Sequence, residues 1–320
     1  MNRTVIPIAN VAQAPSRQRR REGGKGRRVD PQALDEVQKL LGSASRARDQ
    51  LIEHLHKLQD RFGHLSARHL AALAREMDLA QTEVFEVASF YHHFDIVKEG
   101  EAAPPALTVR VCDGLACEMA GAQDLLQRLP ALLGSDVRVL AAPCIGRCEQ
   151  APAAVVGQHP VPTADVGAVV DAVRDGRTRH MPEGFIDLQA YKDEGGYALL
   201  KTCIAGELDV DDVIKALEGS GLRGLGGAGF PTGRKWRIVR NEPAPRLMAV
   251  NLDEGEPGTF KDRVYLERDP HRFIEGMLIA AWAVGIAKIY VYLRDEYHGC
   301  RAMLEAELAK LRIKIGRAHV

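Results

Sequence analysis

Residues 221–236 read GLRGLGGAGFPTGRKW, with six glycines in sixteen residues, a single Phe230 and Lys235 near the end. A backbone so poor in Cβ atoms can adopt left-handed conformations and lie directly against a flat, charged ligand. Its amides can line a phosphate or a ring edge, and a lysine at the far end can neutralise the charge. Flexible surface loops are Ser/Gly/Pro mixtures without an embedded Phe, Lys and Trp, so a plain linker does not account for this composition. The spacing Gly224-x-Gly226-x-x-Gly229 matches the dinucleotide fingerprint, which requires a strand before it and a helix after it. The preceding residues 211–218 (DDVIKALE) instead have helical periodicity, with Gly219 as the expected stop. A conventional Rossmann first turn is therefore not expected, and the glycines are assigned to a different nucleotide site.

Working outward, residues 247–250 (LMAV) form a short apolar strand candidate, followed at once by NLDEGEPGTFKDR over 251–263. Asn251, Asp253, Glu254 and Glu256 with two further glycines at a strand's end make a place to hold the polar edge of a ligand. A solvated acidic turn would explain the charges but not the neighbouring Pro-Gly-Thr-Phe.

Together these two strings resemble the flavin-binding core of the NADH-oxidising flavoprotein subunit of respiratory complex I and its soluble relatives. The latter include NAD-dependent molybdenum or tungsten formate dehydrogenases and NAD-reducing hydrogenases. The resemblance continues through RVYLERDPHRFIEGMLIAAWAVGIAKIYVYLRDEYHGCRAMLEAEL and covers residues 200–311. It implies that Gly224, Gly226, Gly227 and Gly229 lie against FMN, with Lys235 near its phosphate or ring edge. Asn251, Asp253 and Glu254 are then expected to hydrogen-bond the flavin, Phe230 to stack on the adenine of NADH, and Glu256 to lie near the nicotinamide half. The sequence departs from the family pattern at Leu225, where arginine is common, and at Ile238, where a second aromatic is common.

Six cysteines occur, four of them as two close pairs: Cys112 with Cys117, and Cys144 with Cys148. Each pair follows a β-rich run, LTVRV at 107–111 and VRVLAAP at 137–143. Thiolates on two neighbouring strand-end loops can converge on one soft metal centre. Zinc is the chemical competitor, though structural zinc sites favour tighter spacing. The C-x4-C and C-x3-C pattern, with flanks VCDGLACEMAGAQDLL and APCIGRCEQAPAAVV, resembles the thioredoxin-like [2Fe–2S] subunit of complex I, which implies these four cysteines as ligands. Cys203 and Cys300 read as buried small hydrophobes. Upstream, Leu51, Ile52, Leu55 and Leu58 fall at helical spacing, as do Leu70, Leu73 and Met77. Gly63 is expected to end the first of these helices, Ser66 to cap the second and Thr82 to begin a third. His54, His56, His64, His69, His92 and His93 read as packed or solvated, for want of a convergent thiol or carboxylate.

At 320 residues, 46% hydrophobic and 27% charged with zero formal net charge, the chain reads as a globular protein of several domains. Nothing in the balance of charge points to nucleic acid. The run RQRRREGGKGRR over 17–28 reads as a solvated arm. PQALDEVQKLL supplies no apolar stretch for a twin-arginine signal, and the apolar region 277–293 divides into a helix and a strand around Lys288; a cytoplasmic location and no membrane span are expected.

The expected class is α/β: a disordered basic arm (1–30), a helical bundle (31–96), a thioredoxin-like [2Fe–2S] ferredoxin domain (105–176), a linker (177–199) and the N-terminal part of an α/β FMN-binding domain (200–314). The closing IGRAHV (315–320) leaves the family pattern, matches one reading frame of a sequencing adapter and is expected to be non-native. Full-length relatives, by the same resemblance, add further FMN contacts and a [4Fe–4S] domain downstream, so the chain is expected to form half a flavin pocket and to be inactive alone. The fused order most resembles the β subunit of a formate dehydrogenase whose molybdenum or tungsten α subunit is the partner. The diaphorase subunit of a hydrogenase, with hydrogenase subunits as partners, and a complex I-like subunit are the alternatives, and a non-catalytic metal-binding or assembly module is the reading from a different class.

Overall fold

The computed structural model describes residues 26–311, which form two compact units divided between Ala103 and Pro104. Most of the basic arm and the 315–320 tail lie outside the described residues. The first unit is built from α1 (Pro31–Leu41), α2 (Leu51–Phe62), α3 (Ala67–Glu76) and α4 (Gln81–Phe90). Two short strands, β1 (Leu65–Ser66) and β2 (Ile96–Val97), pair in parallel. Val37, Leu55, Leu58, Leu73 and Val84 are fully buried between the helices, as the 3.6-residue spacing requires. Gly63 ends α2 with φ 73°, a left-handed cap that costs glycine nothing. The Ser66 hydroxyl accepts from the His69 amide at 3.2 Å and caps α3. Among the histidines, His54 donates from Nε2 to the Ser45 carbonyl at 2.8 Å, and His69 bridges Ser66 and Glu36. Burial holds both imidazoles below the usual histidine range.

The second unit opens with β3 (Leu107–Cys112), α5 (Leu115–Met119), α6 (Ala122–Leu133), β4 (Val137–Ala142), β5 (Ala154–Val156), β6 (His159–Val161) and α7 (Val166–Arg174). Its sheet has the order β4-β3-β5-β6, with β3 and β4 parallel and the other pairings antiparallel. Val109, Val111, Leu129, Val156 and Val169 meet in the core between sheet and helices. Parallel β3 and β4 direct both carboxyl ends, each bearing the first cysteine of a pair, to one edge of the sheet.

The remainder comprises α8 (Leu188–Asp193), α9 (Ala198–Ile204), α10 (Val210–Ser220), α11 (Thr232–Arg240), β7 (Arg246–Leu252), α12 (Lys261–Leu266), α13 (Pro270–Val284), β8 (Ile286–Leu293) and α14 (His298–Lys310). β7 and β8 pair in parallel across the α12–α13 crossover. Helix α10 runs through Gly219 to Ser220, and Gly221 at φ 70° ends it, two residues beyond the expected stop. Gly233 permits α11 to meet α10: a Cβ there would stand 2.6 Å from the Glu218 backbone nitrogen. The stretch expected as a linker, 177–199, is packed, with Phe185, Ile186, Leu188, Tyr191 and Tyr197 joining the core of Leu266, Ile274, Met303 and Leu304. The α/β class expected from the sequence is the one observed.

One buried carboxylate fastens that stretch. Glu275, on α13, accepts from the Tyr191 hydroxyl at 2.6 Å, the Tyr197 amide at 2.9 Å and the Leu200 amide at 3.1 Å. Tyr197 is held at φ 63°, and its hydroxyl meets His271 Nδ1 at 2.8 Å, while His271 Nε2 donates to Glu307 at 2.9 Å. Glu275→Ala strands three buried donors and is expected to cost about 3 kcal/mol of stability in denaturant titration; a loss near zero would refute the assignment.

Candidate cofactor-binding site

The glycine loop is a small closed turn between two helices. Gly224 N donates to the Phe230 carbonyl and Thr232 N to the Leu222 carbonyl, both at 2.9 Å. The Arg223 guanidinium ties down the Gly229 carbonyl at 3.0 Å. Gly227 and Gly229 take φ 93° and 60°, and Cβ atoms at Gly226, Gly227 or Gly229 would meet nothing within 4 Å. The loop therefore presents bare backbone to an open side. A helix, α10, precedes it where the dinucleotide fingerprint needs a strand, as the sequence indicated. Phe230 is 40% exposed, with the Arg234 guanidinium 5.9 Å from its ring centroid, and Lys235 is exposed in the first turn of α11. Among the described residues the loop makes no hydrogen bond to the acidic turn.

The acidic turn lies at the carboxyl ends of parallel strands, where β7 runs into residues 253–260 and β8 into Arg294–Tyr297. Asn251 accepts from the Asp253 amide at 2.9 Å, and both residues are exposed, as is Glu256. Glu254 differs from these. Its carboxylate is turned inward, where it accepts from the Asp262 amide at 3.0 Å, the Arg263 amide at 3.4 Å and the Tyr297 hydroxyl at 2.9 Å. These bonds satisfy the first turn of α12, so the Glu254 side chain holds the turn in place rather than facing the open side. Burial, with Glu254 as hydrogen-bond partner, pushes the Tyr297 phenol well above its ordinary range.

The four paired cysteines come together. Cys112 ends β3 and Cys117 lies in α5, while Cys144 and Cys148 occupy the loop after β4. Cys144 Sγ and Cys148 Sγ are 3.4 Å apart. Two thiolates at about 2.3 Å from one tetrahedral metal stand roughly 3.8 Å apart, so small side-chain adjustment suffices to share one. Cys112, Cys117 and Cys148 line a cavity of about 180 Å³ with Gly114, Leu115, Ala116, Pro257 and Gly258. The Cys144 thiol is held below the ordinary thiol range, first by hydrogen bonding from Cys112 and also by the Gly146 amide. Burial pushes the Cys148 thiol up. Buried sulfur around a small cavity is a donor set for a soft metal centre. Cys203 and Cys300 are buried apart from it in the helical part, and burial pushes Cys300 up to about 12.

The acidic turn and the cysteine loop touch. The Gly258 amide donates to Cys148 Sγ at 3.1 Å. Arg263, 2% exposed, donates to the Gly146 carbonyl at 3.1 Å and pairs with Glu149 and with Glu267, the latter at 2.6 Å. Arg294, 5% exposed, holds the carbonyls of both Glu254 and Cys144. Gly146 (φ 72°) lies against Tyr297, whose hydroxyl would stand 2.4 Å from an added Cβ. Arg263, Arg294, Tyr297 and Gly146 do not stand out in the sequence; the only signal is that basic and aromatic residues follow the strand end in LRDEY and the turn in FKDR.

Comparison with known proteins identifies the two halves. Residues 37–176 match the thioredoxin-like [2Fe–2S] ferredoxin family, and residues 217–319 match the Nuo51 FMN-binding domain. The NAD-reducing hydrogenase HoxS subunit alpha of Cupriavidus necator is 32% identical over 305 residues, covering 83% of this chain and 49% of that protein. An NADH-quinone oxidoreductase subunit of Rhizobium meliloti is 44% identical over 135 residues, covering 42% of this chain and 32% of that one. A crystal structure of an NAD⁺-reducing [NiFe]-hydrogenase in the air-oxidized state superposes with a TM-score of 0.68 at 31% identity, covering 84% of this chain and 50% of its counterpart. The chain thus spans about half the length of one of these curated relatives and about a third of the other. It is a fusion of a thioredoxin-like [2Fe–2S] ferredoxin domain with a Nuo51 FMN-binding domain, homologous to the alpha subunit of the HoxS hydrogenase and to the matching subunit of NADH-quinone oxidoreductase.

Proposed function

We propose that this chain is the electron-transfer, diaphorase-type part of a multisubunit oxidoreductase that exchanges electrons with NAD(H). The observation that carries the reading is the 3.1 Å hydrogen bond from Gly258 to Cys148 Sγ, which puts the acidic turn of the FMN domain directly on the cysteine cavity. Bound FMN links a two-electron hydride donor to a one-electron cluster, which is the chemistry the protein itself lacks. The chain's residues bind and orient. Gly224, Gly226, Gly227 and Gly229 offer bare backbone to the flavin phosphate or ring, and Lys235 supplies positive charge beside it. Asn251 and Asp253 hydrogen-bond the flavin edge, while Glu254 fixes the turn that carries them. Phe230 stacks on adenine, and Glu256 lies toward the nicotinamide half. Cys112, Cys117, Cys144 and Cys148 hold the [2Fe–2S] cluster.

For the partner, the strings RLMAVNLDEGEPGTFKDR and YVYLRDEYH support a formate dehydrogenase α subunit carrying molybdenum or tungsten. A specific observation favours a second reading: the hydrogenase relative aligns across both domains in the same order over 83% of this chain. Co-purification from the native source separates the two, since the bound partner contains either molybdenum or tungsten, or nickel.

Anaerobic reconstitution of the chain with iron, sulfide and FMN tests the reading: flavin and cluster absorption, both bleached on adding NADH, support it. Cys144→Ser is expected to abolish the cluster bands and leave those of flavin. Cluster bands without bound flavin reduce the chain to an electron carrier, and stoichiometric zinc without colour makes it a metal-binding or assembly module. In the assembly co-purified from the native source, Phe230→Ala is expected to raise the KM for NADH roughly five- to thirtyfold, the equivalent of about 1–2 kcal/mol of base stacking, with the flavin spectrum unchanged. An unaltered KM removes Phe230 from the nucleotide site.

A further inference from the structure

Arg294 follows β8 and is almost wholly buried, yet its guanidinium meets two distant segments and a carboxylate of its own loop. One terminal nitrogen donates to the backbone carbonyl of Glu254 in the acidic turn. The other donates to the backbone carbonyl of Cys144 in the cysteine loop. Nε donates to the Glu296 carboxylate at 2.9 Å. A planar fork with five donors in fixed directions can hold two carbonyls and a carboxylate at once, which an amide, with two donors, cannot.

We propose that Arg294 is a positioning residue that locks the acidic turn onto the cysteine loop and thereby sets the reduction potential of the cluster held by the four cysteines. The proposal rests on the [2Fe–2S] reading of those cysteines. Two physical effects act in the same direction. The guanidinium is a buried positive charge one carbonyl away from a cluster ligand, in surroundings where charge is weakly screened, and so favours the more negative, reduced cluster. By tying Glu254 to Cys144 it also keeps the turn in place, so that the Gly258 amide stays on Cys148 Sγ; a hydrogen bond to a ligand sulfur again favours the reduced form. Glu296 opposes the first. Its side chain is 34% exposed, and its negative charge partly cancels that of Arg294. The potential of the cluster therefore depends on the neighbouring flavin turn being seated.

The test is an anaerobic dithionite titration of the reconstituted chain, followed by the paramagnetic resonance of the reduced [2Fe–2S] cluster, on wild type, Arg294→Gln and Glu296→Gln. Arg294→Gln is expected to lower the reduced-to-oxidised ratio at the wild-type midpoint about tenfold, a shift of about 59 mV for one electron. Glu296→Gln, at a partly exposed position, is expected to raise that ratio about threefold. A residue that merely holds the fold would change cluster content or melting temperature, but would not give shifts of opposite sign. If Arg294→Gln fails to load its cluster, the upward shift in Glu296→Gln decides alone. Loaded variants with unmoved potentials, or a Glu296→Gln shift downward, overturn the proposal. Wild type that forms no [2Fe–2S] cluster overturns the cluster reading, and this inference with it.

Discussion

Two buried guanidiniums hold the site together. Arg263 and Arg294 both rise from the carboxyl-terminal side of the parallel strand pair and both end on backbone carbonyls of the loop that carries Cys144 and Cys148. Removing a cation from water costs several kcal/mol unless it is paired and fully hydrogen-bonded. Here Glu149 and Glu267 surround Arg263, and Glu296 with two carbonyls surrounds Arg294. Loss of either arginine would leave buried carbonyls or carboxylates without a donor, at a cost far above that of a surface ion pair. The constraint is therefore geometric as well as energetic: the cysteine loop cannot leave the acidic turn without breaking a satisfied buried network.

That constraint explains why the remaining elements stand where they do. Parallel strands direct their carboxyl ends to one side, so β3 and β4 bring the two cysteine pairs together, and β7 and β8 bring the acidic turn together with Arg294. Small residues mark the closest approaches. Gly146 accommodates the Tyr297 ring, and Gly233 accommodates the backbone of α10. Tyr297 in turn donates to Glu254, which caps the helix from which Arg263 extends. The chain from cysteine to carboxylate runs through contacts between residues more than a hundred positions apart, such as Gly146 with Arg263.

This separation sets what is legible in the sequence. Helix α2 and its Gly63 stop, the Ser66 cap, the strands before each cysteine pair and the β7 strand are readable because they depend on local periodicity and capping. The rejection of a Rossmann turn is readable for the same reason, since a helical pattern before Gly221 excludes a strand. The convergence of the cysteines follows from their spacing at strand ends. By contrast, Arg263 and Arg294 look like ordinary charges in FKDR and LRDEY, because pairing across 114 or 150 positions leaves no local mark. Residues 177–199 read as a linker on Pro182 and their charges, although Tyr191 and Tyr197 are buried against Glu275 by contacts about eighty positions apart in sequence.

Glu254 shows how a correct motif can mislead about an individual side chain. Its position in the acidic string groups it with Asn251, Asp253 and Glu256, and all four carry polar ends suited to a ligand. The pleat separates Asn251 and Asp253 from Glu254, because alternate residues at a strand end face opposite ways, while Glu256 lies further out in the exposed turn. Asn251 and Asp253 are exposed, whereas Leu252 and Glu254 are buried. A carboxylate on the buried side is stable only with donors around it, and Tyr297 and the α12 amides provide them. The alternation thus divides one acidic string into residues that face outward and a residue that builds the support beneath them. The same support reaches Cys144 through Arg294, so the outward face of the turn and the sulfur cavity share one foundation.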